Sequence, residues 1–247
     1  MRNYKYILIL MVIGINQNIG AQTKRVVENF NKVIISPHIE TTFIQGDETS
    51  VTILNSTEPD DKINVEVSGE TLRVYLDDAK ETTKHQKIEV DGIKRNVPIY
   101  NGKVLTIVIT YKTINNLSLR GEQRTVCENL IAVEKFKLKI YGESQVTFND
   151  INFKEFDVDV YGESELIIIK GKTNHQNITA YGEGKINLVE VENKESKLKA
   201  YGEAVFTINT SEQIKFTAYG EAELHYKGSA TVKTGLSFGD STISRIE

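Results

Sequence analysis

Tyrosine and glutamate flank a glycine five times in this chain: Tyr141-Gly142-Glu143, Tyr161-Gly162-Glu163, Tyr181-Gly182-Glu183, Tyr201-Gly202-Glu203 and Tyr219-Gly220-Glu221. An aromatic ring beside a carboxylate is a pair suited to sugars, the ring offering apolar surface and the carboxylate accepting hydrogen bonds from hydroxyls. The same carboxylates, brought into one row, could hold a hard cation such as calcium through their oxygens. Degenerate copies extend the series at both ends, Arg120-Gly121-Glu122 and Phe238-Gly239-Asp240.

Catalytic chemistry is less well served. A glycosidase needs two carboxylates in unequal surroundings, and a repeated glutamate gives each copy the same surroundings. His38, His85, His175 and His225 lie far apart and lack the spacing of a zinc site. Gly142-Glu143-Ser144 lacks the second glycine of a nucleophile elbow. The chain reads as non-enzymatic and without a resident cofactor, calcium being the one candidate. A polysaccharide lyase or hydrolase is the alternative, and would need an acid, Arg or Lys cluster in the irregular stretch from Asp77 to Gly102.

The elements that must position these residues follow from the glycines. Gly121, Gly142, Gly162, Gly182, Gly202, Gly220 and Gly239 are spaced 21, 20, 20, 20, 18 and 19 residues apart. Around each, apolar and polar residues alternate with the two-residue period of a half-buried strand. Phe136, Leu138, Ile140, Ser144, Val146 and Phe148 share one parity, and Lys139, Tyr141, Glu143, Gln145 and Thr147 the other. A unit of this size cannot bury its own apolar face, so units must stack. Turn dipeptides of the Asn-Gly or Asp-Gly kind do not recur in every unit, which argues against hairpins. At ~3.3 Å per residue a unit gives a circuit of roughly 60 Å, enough for three short sides. The expected fold is all-β, a parallel β-helix of about 20 residues and three short strands per coil.

In such a coil the glycines turn a corner, and the small residues two places on (Ser144, Ser164, Gly184, Ala204, Ala222) fit where the corner leaves little room. Tyr and Glu then form two outward columns. Neighbouring carboxylates ~4.8 Å apart repel by roughly 1 kcal/mol in water. Three readings are open: a structural account in which the tyrosines stack on one another as an exposed ladder and solvation with Lys139, Lys185 and Lys199 eases the carboxylates; calcium bridging the carboxylates; or a strip of aromatic faces, edged by acceptors, that binds a glycan. Arg120 is expected to pair with Glu122 or Glu143.

Before residue 117 the pattern is irregular, and Gly46-Asp47 and Gly69-Glu70 read as worn coils, with Asp77 to Gly102 as an excursion. The N-terminus carries Arg2 and Lys5, an apolar run from Tyr6 to Ile15 and a small residue at Ala21, which predicts a signal peptide over 1–22. The apolar run is too short to span a bilayer. One β-helix domain, 23–247, would follow, with irregular coils to about 116 and regular coils over 117–247. The expected location is outside the cytoplasm: periplasmic, cell-surface or secreted, with no membrane insertion of the mature chain. Without Arg2 and Lys5, 28 Lys and Arg face 34 Asp and Glu, an acidic balance that points away from nucleic acid. Cys127 stands alone and reads as a core residue, so no internal disulfide forms.

Gln45-Gly46-Asp47, Gly69-Glu70-Thr71-Leu72, Leu117-Ser118-Leu119-Arg120-Gly121 and the later strand-Gly-acid-small copies together resemble the head-GIN-domain family of auto-transporter adhesins, a domain of unknown function common in Bacteroidetes-type bacteria. The resemblance covers nearly the whole mature chain. The family pattern has Gly-Ser-Gly at the corner where this chain has Tyr-Gly-Glu and a small residue. The resemblance implies a right-handed β-helix and a surface or periplasmic place, and brings no catalytic residues. The function expected is an adhesin-like module binding a glycan or surface protein through the Tyr/Glu face; the rival is a purely structural envelope scaffold.

Overall fold

The computed structural model describes residues 22–247, so the expected signal segment, but for its last residue, lies outside the described residues. About 68% of the chain is strand and 1% helix, wound into a parallel β-solenoid of about 6 turns. The strand Thr125–Gly142 pairs in parallel with Gln145–Gly162 in three blocks: residues 125–127, 130–133 and 135–142 lie against 146–148, 150–153 and 155–162. Each such turn therefore has three straight runs separated by corners. Gln145–Gly162 pairs in turn with Gly171–Tyr181, that strand with Val191–Tyr201, and that with Gln213–Tyr219.

The alternation sorts side chains as the strand period requires. Phe136, Leu138, Ile140, Val146 and Phe148 are buried, as are Phe156, Val158, Val160, Leu166 and Ile168 one turn on. Phe136 packs at the centre of a ring cluster, edge-on to Phe148 at 5.8 Å and stacked on Phe153 at 4.8 Å. Cys127 is fully buried, and burial pushes its thiol well above the ordinary range.

At the corners Gly142, Gly162, Gly182 and Gly202 have φ of 109°, 103°, 113° and 129°. A Cβ on Gly142 would stand 2.4 Å from the carbonyl oxygen of Gly121, and one on Gly162 2.3 Å from that of Gly142. Glycine is required twice, by conformation and by the approach of the turn below. The same carbonyls accept the next backbone bonds, Glu143 N–H to Gly121 at 3.1 Å and Glu163 N–H to Gly142 at 3.0 Å. Ser144 and Ser164 are buried and donate their hydroxyls to those oxygens at 2.7 and 2.9 Å.

The N-terminal part does coil, but its turns are stacked out of sequence order and closed by antiparallel strands. Lys32–Ile35 lies between Asn116–Gly121 on one side and Thr71–Leu76 on the other, both parallel. Ile39–Gln45 lies likewise between Thr125–Gly142 and Leu105–Tyr111. The turn built from 71–76 and 105–111 thus sits outside the turn that precedes it in sequence. Antiparallel strands close this end: Ser50–Ser56 on Leu105–Tyr111, Thr23–Val26 on Ser50–Ser56, and Ile63–Ser68 on Thr71–Leu76. Gly69-Glu70 is the two-residue loop of that last hairpin, with Gly69 at φ 57°. The excursion contains a separate hairpin, His85–Val90 with Ile93–Pro98, turned by Asp91-Gly92 with both residues at positive φ. Reversing the chain at this end covers the edge that a stacked solenoid would otherwise present.

Candidate functional site

Each tyrosine of the repeat is the last outward residue before its glycine corner, and the parallel register puts Tyr141, Tyr161, Tyr181, Tyr201 and Tyr219 in one column. The rings stack face to face with centroids 4.8, 4.7, 5.0 and 5.1 Å apart and interplanar angles of 2–7°. Phe238 continues the stack 5.9 Å beyond Tyr219. At the other end the Arg120 guanidinium lies 4.9 Å from the centroid of Tyr141. The coil spacing is close to the preferred ring separation, so the backbone ladder and the aromatic ladder reinforce each other.

The stack is the tyrosine ladder of the structural reading, and it removes the open aromatic faces of the glycan reading. Tyr161, Tyr181 and Tyr201 have both faces covered by neighbouring rings, and the end faces of the tyrosine series are covered by Arg120 and Phe238. Solvent meets ring edges and hydroxyls; Tyr181, Tyr201 and Tyr219 are 37–39% exposed. Partial burial, with Asp159 and the neighbouring rings, raises the Tyr161 phenol above its ordinary range.

Glu143, Glu163, Glu183, Glu203 and Glu221 follow at the corner and are exposed. Among the described residues none of these five enters an ion pair, and no three His, Cys, Asp or Glu side chains converge as a metal cage would require. Lys139, expected to ease the column, pairs instead with Asp159 at 3.8 Å. Towards the C-terminal end, Glu183, Glu203, Glu221, Glu223 and Asp240 line an open cleft of about 450 Å³ with Lys185.

Arg120 does not pair with Glu122 or Glu143. Its partner is Glu81 at 2.6 Å, on the segment that follows the strand Thr71–Leu76. Glu81 is also hydrogen-bonded by Arg73, and that bond, with the charge of Arg120, holds its carboxyl below the ordinary range.

One buried feature has no counterpart in the Tyr-Gly-Glu reading. Thr173, Gln176, Asn193, Ser196 and Thr210 point inward and are buried. Thr173 Oγ1 donates to Asn193 Oδ1 at 2.7 Å, and the side-chain amides of Asn193 and Gln176 each donate an N–H to Ser196 Oγ at 2.8 Å. Ser196 and Thr210 share a hydroxyl bond of 2.6 Å. The signal was available: six residues before successive corner glycines stand Phe136, Phe156, Gln176, Ser196 and Ile214, a core column whose middle turns polar.

No helix among the described residues is long and apolar enough to cross a membrane. No relative among curated proteins matches the chain. Among solved structures it is similar to a putative adhesin from Bacteroides fragilis, with TM-score 0.72 and 22% identity over 91% of this chain and 96% of that one. It is also similar to a putative adhesin from Parabacteroides merdae, with TM-score 0.67 and 13% identity over 92% and 96% of the two chains. A putative lipid binding protein from Parabacteroides distasonis gives 0.64 and 15% over 92% and 98%. At these identities the likeness is one of fold. The model of the family described as "Putative auto-transporter adhesin, head GIN domain" matches residues 29–230, and the chain belongs to that family.

Proposed function

We propose that this protein is a non-catalytic, adhesin-like binding module that acts outside the cytoplasm and holds a glycan along the Tyr/Glu column. The observation that supports this reading is the unbroken stack from Arg120 to Phe238, which fixes rows of phenol hydroxyls beside a row of exposed carboxylates at a constant step of about 5 Å. Hydroxyls and carboxylates together donate and accept hydrogen bonds, which suits a polymer of hydroxylated units. Because the ring faces are covered, recognition runs through edges and hydroxyls and not through stacking on the sugar.

The test separates hydroxyls from rings. Replacing Tyr161, Tyr181 and Tyr201 together by Phe keeps the stack and removes the donors, so glycan-array binding should be lost while the melting temperature holds. Binding that survives this change refutes the reading.

The covered faces also favour a second reading, in which the column is a structural ladder of an envelope scaffold. That reading expects no array ligand, and a marked drop in melting temperature when the same three tyrosines become Ser. The relative named as lipid binding suggests a third arm for the array, phospholipid vesicles, on which binding would replace the glycan as ligand.

A further inference from the structure

The repeat breaks at its first copy, where Arg120 replaces tyrosine, and a cleft of about 390 Å³ opens there between the corner and the segment carrying Glu81, Thr82 and Thr83. This is the size range of small-molecule sites. We propose that this cleft is the terminal subsite of the ladder and takes the carboxylate of an acidic sugar unit, with Arg120 as its anchor. The inference rests on the glycan reading above, and adds the charge of the unit bound at the end.

The cleft is built and not incidental. Its floor is the corner of the turn below, Pro37-His38, and His38 holds a φ of 72°, a conformation that costs a residue with a side chain and persists only where the surroundings impose it. Those surroundings are on hand. The imidazole is fixed at both nitrogens, Nδ1 on the Gly102 carbonyl and Nε2 on the Thr83 hydroxyl, each at 2.6 Å. The His38 backbone N–H donates to Gln123 Oε1 at 2.7 Å. The wall that faces Arg120 is therefore rigid before any ligand arrives, which lowers the ordering cost of binding.

Two guanidinium groups converge on one carboxylate beside the cleft. Arg73 and Arg120 share a single carboxylate, Glu81, while Lys80 pairs with Glu66 at 3.5 Å. Glu122 is the other acid of the cleft and is exposed. Arg120 meets Glu81 through one terminal nitrogen. A guanidinium offers five N–H donors in a fixed fork matched to a carboxylate. The Tyr141 ring supports the guanidinium from one side, so the fork cannot swing away. Thr82 lines the remaining wall with a hydroxyl able to meet a sugar hydroxyl. A ligand running down the column would meet this cleft where the aromatic series ends, so one terminal unit, and not every unit, carries the acid. The row of ladder carboxylates is consistent with this, because it would repel a ligand acidic throughout.

The experiment uses the whole mature chain and saturation-transfer NMR with glucuronate, with glucose as its neutral twin and an acetylated dipeptide as a second carboxylate. Arg120→Tyr makes the first copy like the others, so it extends the stack and should keep the fold, verified by an unchanged circular dichroism spectrum. Glucuronate should bind the wild type, bind Arg120→Tyr at least tenfold more weakly, and keep its affinity in the Tyr161, Tyr181 and Tyr201 triple Phe variant. Glu81→Gln should bind it more tightly, by removing the internal competitor. Equal glucuronate binding by the wild type and Arg120→Tyr overturns the proposal, as does glucose binding as well as glucuronate, or no glucuronate binding at all. Tighter binding of the dipeptide assigns the cleft to a peptide carboxylate and overturns the sugar. Loss of array binding in the triple Phe variant with glucuronate retained separates failure of one site from failure of the other.

Discussion

Gly162→Ala places a methyl group where the fold has no room. The new Cβ would stand 2.3 Å from the Gly142 carbonyl oxygen and 3.1 Å from its carbon, both backbone atoms that cannot rotate aside. That oxygen accepts two bonds, from Glu163 N–H at 3.0 Å and from Ser164 Oγ at 2.9 Å, and relief of the clash lengthens both. The φ of 103° adds strain of about 1–3 kcal/mol for a residue with a side chain. Two weakened hydrogen bonds add about 0.5–1.5 kcal/mol each. The sum centres near 4 kcal/mol, a large part of a domain's usual ~5–15 kcal/mol, and corresponds to a drop of roughly 8–16 °C in melting temperature. Gly69→Ala is the control. Gly69 also has positive φ, 57°, but no atom lies within 4 Å of its Cβ position, so strain alone costs about 1–2 kcal/mol. Urea unfolding of both variants decides it. If Gly162→Ala loses no more than Gly69→Ala, the close approach of coils is not what demands glycine.

Tyr181→Ser removes two ring contacts and should lower stability by about 1–3 kcal/mol, whereas Tyr181→Phe should leave it within error in a thermal melt. Asn193→Leu strands the Thr173 hydroxyl inside the solenoid and removes one of the donors to Ser196, and should cost about 1–3 kcal/mol by urea unfolding, although it adds apolar volume. Glu81 is held below the ordinary carboxylate range, so its pairing stabilises the fold above roughly pH 4 and is lost as pH falls through the lowered value. Melting temperatures of the wild type and Glu81→Gln should therefore converge towards pH 3 and differ at pH 6. Calcium and chelator should give the same melting temperature, and a rise with calcium would show that successive ladder carboxylates bridge a cation.

The regular turns were legible because their rules are local. A two-residue parity says which side chains are buried, and a recurrent glycine marks a corner whatever lies elsewhere, so the columns of Tyr and Glu follow by counting. Ring orientation does not follow by counting: parity places Tyr181 outside but is silent on whether its face meets solvent or Tyr161. The N-terminal end was illegible for a different reason. Glycine beside an acid serves a corner at Gly142-Glu143 and a hairpin loop at Gly69-Glu70, and only the strand partners distinguish them. The partner of Arg120 is Glu81, 39 residues away in sequence, and no periodicity connects the two. Asp91-Gly92, by contrast, was a readable hairpin signal inside the excursion.

The inverted order of the first turns bears on when each part of the chain can become stable. In the regular region a strand finds its partner about twenty residues away, so each new turn can settle on the last as soon as it exists. Lys32 has its partners at Thr71 and Asn116, and Thr41 at Ile107 and Thr125. A chain made or threaded N-terminus first must therefore keep 32–35 without a parallel partner until Thr71 appears and 39–45 until Leu105, and each half-paired until Asn116 and Thr125 have followed. Contacts of such sequence separation close slowly. The segment that emerges first waits longest for its partners, and pulse-labelled hydrogen exchange during refolding of the full chain should find the amides of Lys32–Ile35 protected after those of Val191–Tyr201.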